Sequence, residues 1–97
     1  MLSIALTPQA QDDIDAIAAY TLEHWGDAQM TQYVDEFHRR FDQLARFPEI
    51  GRRRLDVGRR YRSVPQGSHV IFYRVAARHL VIVRILHGRM SAERHLP

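Results

Sequence analysis

A chain of 97 residues with 45% hydrophobic content and a formal net charge of +3 makes one globular domain over residues 1–97. The absence of cysteine excludes disulfides, thiolate nucleophiles and cysteine-based zinc sites. No apolar run of about eighteen residues could span a membrane, and Met1 to Leu6 lacks a basic signal-peptide region, so a soluble cytoplasmic protein is expected.

Leu2, Ile4 and Leu6 alternate with Ser3 and Ala5, the period-two pattern of a short strand. Thr7 then reads as an N-cap and Pro8 as the first residue of a helix. Asp12, Asp13 and Asp15 fall in its early turns, where negative charge complements the helix dipole. Its apolar stripe runs through Ala10, Ile14, Ile17, Ala18, Thr21 and Trp25, and Gly26 ends it in a left-handed cap. Asp27 is the predicted N-cap of a second helix, with the stripe Met30, Tyr33, Val34, Phe37, Phe41, Leu44 and Ala45. Pro48 stops it. So short a junction turns the two helices into an antiparallel hairpin, roughly 25 and 30 Å long.

After Pro48 the period changes. Glu49 to Arg54 reads as a loop, Arg59 to Val64 as a strand, and Pro65 to Ser68 as a turn. His69 to Val75 and Leu80 to Leu86 are β-branched and aromatic runs joined by Ala76 to His79, which is a hairpin. Their near-continuous apolar character predicts central strands, covered by helices on at least one face. The predicted fold class is α+β: a helical hairpin packed on a mostly antiparallel β-sheet, in the order β-α-α-β-β-β.

Charge divides the chain. Residues 1–49 hold three arginines and nine carboxylates, a balance of −6. Residues 50–97 hold eleven arginines against Asp56 and Glu93, a balance of +9. No lysine is present, so every positive side chain is a planar guanidinium suited to carboxylate or phosphate. Such a half expects an anionic partner, either nucleic acid or an acidic polypeptide. Arg52 to Arg54 and Arg59 to Arg62, with Tyr61 interleaved, form a cluster that can bind phosphates. A charge run of this kind is also the ordinary make-up of a solvated face.

Arg74 and Arg84 stand inside the two apolar strands, where an unpaired charge is costly. Each either reaches solvent, pairs with a helix acid such as Asp13 or Asp42, or serves a partner. If Val75 pairs with Leu80 the two arginines lie on opposite faces, and a one-residue bulge brings them together. His87-Gly88-Arg89 at the strand end could move a proton and stabilise a phosphate, the chemistry of RNA cleavage, with Tyr61 or Tyr73 completing the site. The same residue types are common at exposed strand ends. The six histidines (24, 38, 69, 79, 87 and 95) form no H-x-H, H-x-x-x-H or H-E-x-x-H pair, so neither metal nor cofactor is expected. Trp25, with Leu22 beside it, could seat a partner helix, although burial is the commoner fate of a tryptophan.

His24-Trp25-Gly26, the segment Phe47 to Arg52, Tyr61-Arg62-Ser63, the run His69 to Val75 and the end Leu86 to Met90 together resemble the ParE toxins. These belong to the RelE/ParE superfamily of bacterial type II toxin–antitoxin modules, and the likeness covers essentially the whole chain. It implies a toxin that arrests growth by binding DNA gyrase, without a covalent step of its own. It also implies neutralisation by a ParD-like antitoxin in a hetero-oligomer, with nucleic acid reached only through gyrase or the antitoxin. Arg59, Arg60, Arg62, Arg74, Arg84, His87 and Arg89 are then expected to bind target or antitoxin, and Leu22 and Trp25 to line an antitoxin groove. The RelE branch instead cleaves messenger RNA on the ribosome with lysines, arginines and a tyrosine near the C-terminus. Here lysine is absent, no aromatic residue follows Tyr73, and His95 is the one titratable substitute in the tail. As a ribonuclease the chain would rely on His87 as acid or base, with Arg62, Arg84 and Arg89 as phosphate clamps. A third reading is a decayed toxin that only binds its partner.

Overall fold

The computed structural model describes residues 1–96. Strand β1 (Ser3–Leu6) leads into helices α1 (Pro8–Trp25) and α2 (Asp27–Arg46), then a 3-10 turn (Pro48–Ile50). The strands β2 (Arg52–Arg53), β3 (Arg62–Gln66), β4 (His69–Ala76) and β5 (His79–His87) follow, with a short α3 (Ala92–His95). The sheet order is β1-β5-β4-β3-β2, antiparallel throughout except for β1 alongside β5. The predicted α+β architecture therefore holds, with a two-residue edge strand where the sequence suggested only loop.

Thr7 starts α1 as expected. Its Oγ1 accepts from Ala10 N at 3.0 Å and donates to the Val83 carbonyl at 2.7 Å, so one hydroxyl caps the helix and ties it to the sheet. Gly26 separates the helices in a positive-φ conformation (φ 89°, ψ 176°), outside the expected left-handed helical region. Its N–H donates to Leu22 O and its carbonyl accepts from Met30 N, so Gly26, and not Asp27, is the N-cap of α2. No acid occupies the first turn of α1. Asp13 serves instead as a tertiary ligand.

The third strand starts later than predicted and runs through Pro65 and Gln66. Proline is tolerated there because β2 pairs with only Arg62 and Ser63, leaving Pro65 on an open edge where its missing N–H has no ladder bond to lose. Gly67 (φ 59°) and Ser68 suffice for the turn, since Gln66 pairs directly with His69.

Val75 pairs with Leu80, and a bulge lies between Phe72 and Tyr73, which face Arg84 and Ile82 respectively. Val83 is the extra residue. The bulge places Arg84 on the same sheet face as Phe72 and Arg74. The opposite face carries Ile71, Tyr73, Leu80, Ile82 and Ile85 against Ala10, Ile14, Phe37, Phe41, Leu44 and Ala45 of the helices. A smaller cluster covers the outer face: Phe72, Leu86 and Ala92, with Val57, Val70 and Leu96 packed on it. Coverage on both sides explains why these two strands read as almost unbroken apolar runs.

Tyr73 fixes the end of α2 to the sheet. Its side chain is fully buried, its hydroxyl accepts from Gly51 N at 2.9 Å and donates to Pro48 O at 2.7 Å. A Cβ at Gly51 would collide with the Tyr73 hydroxyl and ring. Close approach, with an ordinary φ of −71°, is what position 51 requires of glycine.

Candidate functional site

The second half of α1 departs from the pattern of a core helix. Tyr20 is 61% exposed, Leu22 43% and Trp25 70%. Trp25 is therefore a surface residue. Two adjoining hollows, of about 490 and 250 Å³, form a groove between this half of α1 and the end of the β3–β4 hairpin. Tyr20, Thr21, Ser68 and His69 line both; Trp25 and Tyr33 lie towards one end and His87 towards the other. Leu22 is exposed on the same helix but does not line the groove.

The local chemistry keeps this groove largely apolar with a few fixed polar groups. Thr21 bonds back to Ile17 O at 2.8 Å, satisfying its hydroxyl. Tyr20 stacks on His24 at 3.9 Å between ring centroids, and His24 Nδ1 lies 2.8 Å from Tyr20 O. Tyr33 OH meets His69 Nδ1 at 2.8 Å, and the His69 and His87 rings stand edge to face 5.6 Å apart. Burial pushes the His69 pKa below its ordinary value, the His87 charge adds to that effect, and Asp13 opposes it. No group of three or more potential metal ligands exists among the described residues.

The arginines named from sequence do not converge. Arg84 donates through Nε and Nη2 to the two Asp13 oxygens at 2.8 and 2.9 Å, and through Nη1 to His95 O at 3.1 Å. Asp13 also accepts from Ile85 N at 2.9 Å, covering β5 beyond the reach of β1. This is the helix-acid pairing anticipated for Arg84. Arg62 lies on the helix-side face, where its Nη1 donates to the carbonyls of Glu49 (3.1 Å) and Gly51 (2.9 Å). Arg74 is half-buried on the outer face, and Arg59 and Arg60 are exposed on the loop before β3. His87 and Arg89 are exposed at the end of β5, with Arg89 N donating to His87 Nδ1 at 3.2 Å. The four residues of the ribonuclease reading thus occupy two sheet faces and two ends of the sheet.

Tyr20, Thr21, Tyr33 and His69 were not singled out as site residues by sequence. Tyr33 and Thr21 fall on the apolar stripes and read as core. The one available signal was Tyr20 and His24, aromatic rings four residues apart and off the stripe.

The model of the family described as "ParE toxin of type II toxin-antitoxin system, parDE" matches residues 4–92. The chain belongs to this family. A Toxin ParE1 from Mycobacterium tuberculosis is 38% identical over 92 residues, 94% of each chain. A Toxin ParE1 from Caulobacter vibrioides is 36% identical over 91 residues, again 94% of each. Among solved structures, a chain of the chromosomal ParDE TA system from P. aeruginosa superposes with a TM-score of 0.77. It is 21% identical and covers 90% of this chain and 96% of its own, a likeness of fold. ParE-family membership agrees with the resemblance carried by the segments Phe47 to Arg52 and Leu86 to Met90. No helix among the described residues is long and apolar enough to cross a membrane.

Proposed function

We propose that the chain acts by binding DNA gyrase and is held inactive by a ParD-like antitoxin seated along α1, neither step making or breaking a covalent bond. The observation that carries this reading is the exposed Trp25. A tryptophan at 70% exposure, beside Tyr20 and at the mouth of an apolar groove, is the kind of anchor that protein interfaces bury. An amphipathic helix or extended segment fits a groove of this form. Acidic side chains on such a partner would meet the arginine-rich second half of the chain.

A binding role also agrees with the state of the arginines. Arg62 and Arg84 have their guanidiniums engaged by backbone carbonyls and by Asp13, which suits architecture better than phosphate clamping. Expression of the chain alone in its host should arrest growth, and co-expression of an acidic protein encoded next to it should restore growth and co-purify with it. Growth unaffected by the chain alone would instead favour the decayed toxin.

A further inference from the structure

The densest charge in the molecule, Arg52 to Arg60, takes no part in the groove. Arg52 and Arg53 make up the edge strand β2. Arg52 lies opposite Ser63 on the outer face, and Arg53 opposite Arg62 on the helix face. Positive charge therefore wraps both sides of an open sheet edge. Arg59 and Arg60, both exposed, extend it along the loop returning to β3.

That loop is ordered from within. Arg54 N donates to Tyr61 O, and Val57 N and Gly58 N donate to Arg54 O. The Arg54 guanidinium makes two bonds to Asp56 (2.9 and 2.7 Å), reaches Ser63 Oγ at 3.3 Å, and lies 4.9 Å above the Phe72 ring. Between residues 50 and 92 the only carboxylate is Asp56, and it is spent on Arg54. Among the described residues, Arg52, Arg53, Arg59 and Arg60 form no ion pair within 4 Å. Four exposed guanidiniums on a backbone braced in advance spare a ligand the cost of ordering the loop itself, with only the side chains left to order.

We infer that this arginine edge binds the phosphodiester backbone of duplex DNA directly, without reading sequence. Protein–protein interfaces are depleted of charge at their centre, whereas nucleic-acid interfaces are polar and strongly positive. The edge has the second composition and the Trp25 groove the first. The −6 balance of residues 1–49, which hold both long helices, adds an orienting field that turns the edge towards a polyanion. The family resemblance implied that nucleic acid is met only through a partner, whereas the composition of this cluster allowed phosphate binding; the braced edge of exposed arginines argues for direct contact. Phe47, Ile50 and Leu55 are exposed in the same stretch of chain, which makes an acidic protein the rival ligand.

The test is fluorescence anisotropy of a labelled duplex titrated with the purified chain at several salt concentrations. Four phosphate contacts give a slope of log K against log salt of about −3.6, or ~150-fold weaker binding at 200 than at 50 mM salt. Arg59→Ala with Arg60→Ala should reduce the slope to about −1.8, while Arg59→Lys with Arg60→Lys and the distant Arg39→Ala leave it unchanged. Absence of duplex binding at low salt, or a slope indifferent to the alanine pair, overturns the assignment. So does tighter binding of a polyglutamate peptide with the same arginine dependence, which gives the edge to an acidic protein. Neither gyrase nor antitoxin is present in this titration, so its failure and theirs are separable.

Discussion

The Asp13 carboxylate holds Arg84 with both oxygens and the Ile85 amide with one of them, at 2.8 to 2.9 Å, joining α1 to a stretch of β5 that β1 does not reach. The two side chains are 14% and 18% exposed, so the pair is largely withdrawn from solvent. Arg84→Ala should cost about 2 kcal/mol, and Asp13→Ala about 3 kcal/mol because it orphans both a cation and a backbone N–H. Urea denaturation of both variants and of the double variant checks this. A fully stable but non-toxic Arg84→Ala protein would make Arg84 a contact residue instead.

Tyr73→Phe removes a hydroxyl that bonds buried Gly51 N and half-buried Pro48 O, and should cost about 1 to 3 kcal/mol. Gly51→Ala drives a methyl into the same phenol and should cost at least as much, roughly 3 kcal/mol. Thermal unfolding of each variant provides the measurement, and an unchanged midpoint for Gly51→Ala would mean the loop yields freely.

Ala77 takes a φ of 53° at the first position of a two-residue hairpin loop, where glycine is the usual occupant. Ala77→Gly should raise stability by roughly 0.5 to 1 kcal/mol by relieving that strain. A loss of stability on the same denaturation curve would contradict it.

Trp25→Ala should leave stability within about 0.5 kcal/mol of the parent, because the side chain is mostly solvated. Binding of the antitoxin should weaken by about 2 kcal/mol, close to 30-fold. As the chain's one tryptophan, Trp25 also reports on this directly. Its emission should move to shorter wavelength when antitoxin is added, and constant emission during tight binding would place the antitoxin elsewhere.

His69 has a depressed pKa in the folded chain, caused first by burial. Its contribution to stability is complete above the unfolded value near pH 6.5 and declines as pH falls from there towards the folded pKa, because the unfolded chain takes up the proton first. His69→Gln, which cannot titrate, should flatten the part of the stability profile that lies below about pH 6.5. Parallel profiles for the two proteins would refute the role.

The helical hairpin was legible because α2 repeats its apolar residues with helical spacing and Pro48 and Gly26 punctuate the ends. The β4–β5 hairpin was legible from Val, Ile and aromatic runs. What escaped depended on tertiary contacts. Pro65 is permitted in a strand only because β2 is two residues long. The bulge at Val83 decides the face of Arg84, and hence its bond to Asp13, which lies 71 positions away in sequence. Trp25 sits on the apolar stripe of α1, yet the sheet ends before it can cover the ring. Sequence could pair residue types with chemistry, but it could not say that two of the marked arginines were already occupied.

The most direct test of the central claim is a DNA gyrase supercoiling and cleavage-complex assay using host gyrase, with and without the antitoxin. Loss of supercoiling or accumulation of cleaved DNA, reversed by the antitoxin, is the predicted result. Gyrase that works unaffected at a saturating concentration of the chain would contradict it.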